Sequence, residues 1–133
     1  MMITMQNSNN QYISFASWNI QGISSKNLNK VHDPVFLKEI CKHDVIALQE
    51  THCAPSDHIV IPGYVVHQVS RPLSGRKAHG GIALIVKKEL KEGIKFIDSQ
   101  SQDRLWLCMK KKFFHIDEDV YISTMYISPY NST

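Results

Sequence analysis

The chain has 133 residues, 43% of them hydrophobic, with a formal net charge of +3 and a pI near 8.8. That length holds at most one domain with an ordinary core. The lack of an apolar run of about 18 residues, or of a basic stretch leading into an apolar one, argues against a membrane span and a secretory signal. Three widely separated cysteines, Cys41, Cys53 and Cys108, argue against a disulfide framework and for a reducing compartment. A soluble intracellular protein, cytoplasmic or nuclear, is expected.

Met1 to Gln11 is polar and Asn-rich and reads as a disordered lead-in, residues 1–11. Tyr12 to Ile20 is a β-rich run that terminates in a polar group, Asn19, followed by Gln21-Gly22. Gly22 to Lys30 reads as loop, and Asp33-Pro34 supplies an N-cap and a first-turn proline. The helix that follows carries Phe36, Leu37, Ile40 and Cys41 on one face. Val45 to Leu48 is then a strand buried on both faces that stops at Gln49-Glu50. A crossover helix makes the two strands parallel, which sets an amide and a carboxylate side by side. In α/β sheets the C-terminal strand ends are where reactive groups gather. A solvated Glu at a loop entry is the alternative for Glu50 on this stretch alone.

Cys41, His43, His52, Cys53 and His58 fall within one span, but their spacing matches no recognised zinc pattern. Gly63 to Val69 is the next strand, Ser70 to His79 a long hairpin tip, and Gly80 to Val86 the returning apolar strand. The tip carries Arg71, Arg76, Lys77 and His79 with no acidic residue among them. It reads either as a solvated turn or as a contact for a phosphate backbone. The twin glycines Gly80-Gly81 would let a phosphate or a neighbouring backbone come close. Ile94 to Ile97 is a short strand and Arg104 to Lys110 a clearer one, with Leu105, Leu107 and Met109 on one side and Trp106 and Cys108 on the other. Lys110 to Lys112 and Asp117 to Asp119 flank a hairpin connection whose charges can pair in solvent. The last strand, Val120 to Ile127, runs into Ser128-Pro129-Tyr130-Asn131-Ser132.

Ser17-Trp18-Asn19-Ile20-Gln21-Gly22, Leu48-Gln49-Glu50-Thr51 and the strand that ends in Tyr126 before Pro129 and Asn131 together resemble the endonuclease/exonuclease/phosphatase superfamily. Within it, the likeness is to the endonuclease domains of LINE-type (non-LTR) retrotransposons. The resemblance implies an α/β fold: the N-terminal half, residues 12–133, of a DNase-like two-sheet sandwich with outer helices. It implies a magnesium-dependent phosphodiesterase acting on DNA, with manganese as a substitute metal. Glu50 is then the principal metal ligand, Asn19 holds Glu50 or a metal-bound water, and the Tyr126 hydroxyl faces the scissile phosphate. Arg71, Arg76, Lys77, His79 and Asn131 would contact nucleic acid. The family's later Asp-x-Asn and Asp-His motifs, expected beyond the strand that ends in Tyr126, do not occur between it and Thr133. The chain by itself is therefore expected to fold poorly and to be inactive until joined by a C-terminal half. Rival readings are a non-catalytic nucleic-acid-binding fragment and a phosphoinositide or sphingomyelin phosphodiesterase of the same superfamily; the polar tip lacks the apolar membrane-facing loop the latter would need.

Overall fold

The computed structural model describes residues 1–25 and 28–127. Its strands are β1 (Met2–Gln6), β2 (Tyr12–Asn19), β3 (Ser24–Ser25), β4 (Leu28–Asn29), β5 (Val45–Gln49), β6 (Tyr64–Val69), β7 (Ile82–Lys87), β8 (Ile94–Ile97), β9 (Arg104–Met109) and β10 (Val120–Met125). The α-helices are α1 (Pro34–Ile40) and α2 (Lys111–Phe114). A mixed five-stranded sheet has the order β1-β2-β5-β7-β6, and a second sheet has the order β10-β9-β8. The protein is α/β.

The crossover expected from the sequence is present. Asp33 caps α1 by accepting a hydrogen bond from Val35 N, with Pro34 in the first turn. The helix buries Phe36 and Ile40, while Cys41 is exposed beyond its end. It connects β2 to β5, which pair in parallel with Asn19 opposite Gln49.

Alternation along the strands divides the interior into two cores. Ile46 and Leu48 of β5 and Ala83 and Ile85 of β7 face Phe36, Ile40, Tyr64 and the loop residues Cys53, Ile59 and Ile61. Val45, Ile82, Leu84 and Val86 face the second sheet, where Leu105, Leu107 and Met109 meet them. The apolar run of β5 is thus buried on both sides because a helix covers one face and a sheet the other. Between the sheets, near β1 and β10, a cavity of about 460 Å³ is lined by Met5, Phe15, Val120 and Ile122 among others.

Three sequence expectations are corrected. Within Gly22 to Lys30, expected to be loop, β3 pairs antiparallel with β4. The stretch expected to be a disordered lead-in contains β1, which pairs antiparallel with β2 from Met2↔Ala16 to Gln6↔Tyr12. Asn7 makes this possible. Its side-chain oxygen accepts from Asn9 N and Gln11 N to shape the turn, and its amide donates to Phe114 O across the fold. The Lys110–Asp119 connection contains α2, closed by His115 in the left-handed region. There Asp119 accepts from the backbone N of Lys111; among the described residues no ion pair joins the two charge runs.

Candidate active site

Glu50 follows β5 directly, and Tyr126 follows β10 in the other sheet. Their side chains meet: the Tyr126 hydroxyl donates to Glu50 Oε1 at 2.7 Å. Both are half-buried. The hydrogen bond to the carboxylate, aided by desolvation and by the Glu50 charge, pushes the Tyr126 phenol above its ordinary range. One residue back, Gln49 Nε2 donates to Thr124 Oγ1 at 3.0 Å and to Ser17 Oγ at 2.9 Å. Gln49 therefore stitches the two sheets together directly beneath the Glu50–Tyr126 pair.

The backbone around Glu50 is strained. Gln21, Glu50 and His52 have φ of 50°, 54° and 54°, three of the five non-glycine residues with positive φ among those described. Each such residue costs on the order of 1 kcal/mol, and such strain is concentrated where function requires a particular geometry. Neighbouring chain holds it in place. Gly22 N donates to Glu50 O at 2.7 Å and Ile23 N to Thr51 O at 2.8 Å, while Thr51 N and His52 N donate to Gly81 O and Gly80 O. The carboxylate is aimed from both flanks.

The twin glycines admit side chains. A Cβ on Gly81 would lie 2.4 Å from Thr51 Oγ1, and one on Gly80 would lie 2.8 Å from Arg71 Cδ; both residues have positive φ. Thr51 is fully buried against the first, and the Arg71 side chain lies across the second.

Asn19 ends β2, exposed beside β5, and its side-chain oxygen accepts from Gln21 N at 3.2 Å. The structure thus places Asn19 at the neighbouring strand end without a hydrogen bond to Glu50. The tip does not behave as one basic patch. Ser74 and Lys77 exchange backbone hydrogen bonds around Gly75, leaving Arg76 and Lys77 exposed and His79 half-buried. Arg71 turns inward instead. It is 8% exposed, and its guanidinium grips Asp103 at both carboxylate oxygens, at 2.7 and 2.5 Å. The pairing holds the Arg71 pKa above the usual value, so this cation is spent inside the fold. Asn131 lies outside the described residues.

Sequence reasoning overlooked Asp103 and Thr124, which sit in no motif, and did not see that Gln49 bridges sheets. Their signal exists only once the sheets are stacked. The candidate zinc residues do not converge, since no group of three His, Cys, Asp or Glu side chains fit to hold a metal occurs among the described residues. No helix among them is long and apolar enough to cross a membrane.

A carboxylate and a tyrosine brought together from the ends of strands in two packed sheets accompany a family match over residues 16–126, and the chain belongs to the endonuclease/exonuclease/phosphatase family. It is also similar, at 38% identity over 73 residues, to the probable RNA-directed DNA polymerase from transposon X-element of Drosophila melanogaster. That stretch covers 55% of this chain and 8% of the fly protein's length.

Proposed function

We propose that this chain carries the metal-anchoring, phosphate-facing part of a retrotransposon-type endonuclease that nicks DNA by magnesium-dependent hydrolysis of a phosphodiester. The observation that carries the reading is the Tyr126–Glu50 hydrogen bond, which joins the two motif residues in one site. The likeness to a transposon polymerase supports the retrotransposon setting.

The donor set fits magnesium. This ion takes one or two carboxylates and keeps most of its waters, and Glu50 is a half-buried carboxylate whose second oxygen accepts no hydrogen bond among the described residues. When bound, magnesium neutralises charge developing on the phosphate. Glu50 anchors it. Tyr126, already a donor at this spot, would offer its hydroxyl to a phosphate oxygen. Asn19 would orient a water or the phosphate from the adjacent strand end. Arg76 and Lys77 contribute sequence-independent attraction to the backbone. None of these residues serves as the base that activates water.

The test is nicking of supercoiled DNA by the domain extended through its downstream coding sequence, with magnesium varied. Activity that needs magnesium and disappears with Glu50→Gln supports the proposal. Full activity of that variant at low magnesium, or nucleic-acid binding with no cleavage at any magnesium concentration, defeats it.

A further inference from the structure

The connection before β7 and the turn before β9 belong to different sheets, yet Arg71 and Asp103 join them through a two-pronged ion pair. Desolvating a guanidinium and a carboxylate is expensive unless the geometry is good and the remaining groups are bonded. Here the arrangement is built in several parts. Gly80 leaves room for the Arg71 stem, where any Cβ would collide with it. Asp103 N is held by Ser101 Oγ. The carbonyl of Asp103 in turn accepts from Tyr126 N at 2.9 Å, and Tyr126 is the residue whose hydroxyl reaches Glu50.

The chain of contacts is therefore continuous from Arg71 to Asp103, to the Tyr126 backbone, to the Glu50 carboxylate. We infer that the Arg71–Asp103 pair is a positioning device: it fixes the backbone at the end of β10 so that the Tyr126 hydroxyl is aimed at Glu50. Arg71 and Asp103 are thus positioning residues that act through Tyr126. This rests on the reading of Glu50 and Tyr126 as the working pair of the site. It also explains why a cation in the tip is buried. Bidentate pairing is a task for a planar guanidinium, which a lysine performs poorly.

The measurement is NMR of isotope-labelled tyrosine in the full chain at one neutral pH, with Tyr126 assigned by its loss in Tyr126→Phe; it reads the through-space contact between the Tyr126 ring and the Glu50 side chain, and the exchange rate of the Tyr126 amide that donates to Asp103 O. Glu50→Leu removes the acceptor and sets the end point for a broken bond. Arg71→Met and the double variant Arg71→Met/Asp103→Asn are compared with it; the double variant leaves no unpaired buried charge and guards against misfolding. Loss of the Glu50 contact in the folded variants, with Tyr126 amide exchange faster by about tenfold or more, supports the inference. A Tyr126–Glu50 contact kept in the folded double variant overturns it. The readout uses neither metal nor DNA, so absence of nicking would strike the proposed activity and leave this inference standing.

Discussion

Glu50 and Tyr126 are 76 residues apart in the chain, and the Tyr126 hydroxyl is 2.7 Å from Glu50 Oε1. A phenol at the end of one sheet donates to a carboxylate at the end of the other. Tyr126→Phe removes only that donor. In the extended domain we expect the nicking rate to fall about 10²-fold, the usual worth of one donor aimed at developing charge, with DNA affinity nearly unchanged because binding is spread over many contacts. Single-turnover kinetics and a binding isotherm separate the two. Parallel losses of rate and affinity would make Tyr126 structural.

Arg76 and Lys77 are exposed at the turn, and neither has an ion-pair partner among the described residues. Replacing both by Ala should weaken binding to unrelated DNA sequences alike and reduce the slope of log K against log salt by about 1 per residue. Binding measured from low to moderate salt provides the slope. An unchanged slope would leave the tip as a solvated hairpin. Arg71 is left out of this set because its charge is committed to Asp103.

Gly81→Ala should be costly at the site as well as in stability. The new Cβ would fall 2.4 Å from Thr51 Oγ1, in a backbone conformation with φ of +88°. A loss of about 1–3 kcal/mol is expected from the strain alone, read from urea unfolding. Thr51 adjoins Glu50, so the Tyr126 titration should move too. A neutral substitution would mean that β5 and β7 separate more easily at this end than their hydrogen bonds imply.

Tyr64 is buried with its one hydroxyl proton shared between Ile40 O and His43 O, and burial pushes its phenol from 10.0 to about 12. In that window the folded protein keeps a proton the unfolded chain has released. Stability from this group is therefore complete below pH 10 and is lost as pH rises through 12, a difference on the order of 2–3 kcal/mol. Tyr64→Phe should be less stable at neutral pH by about 1–3 kcal/mol, because the carbonyls of Ile40 and His43 lose their shared donor, and should show little of the alkaline loss. Urea midpoints across that range test both statements. The same alkaline slope in Tyr64→Phe would assign it to another group.

Local pattern alone determined the elements and the ends that matter. Two apolar, β-rich runs, each closing on a polar residue and separated by a capped amphipathic helix, allow little besides a parallel pair with Asn19 and Glu50 at adjacent ends. Period-two alternation likewise separated Leu105, Leu107 and Met109 from Trp106 and Cys108 before any partner was known. Near-neighbour physics governs such features, so they are legible in near-neighbour sequence. Tertiary structure decided the rest. Asn7 orders β1 through Phe114, 107 residues away, and composition could only register a polar stretch. Arg71 looks like one cation among several in a basic tip until the stacking of the sheets brings Asp103 to it and excludes water. Whether a charge faces solvent or a partner is set by what packs over it, and that is decided by residues far along the chain.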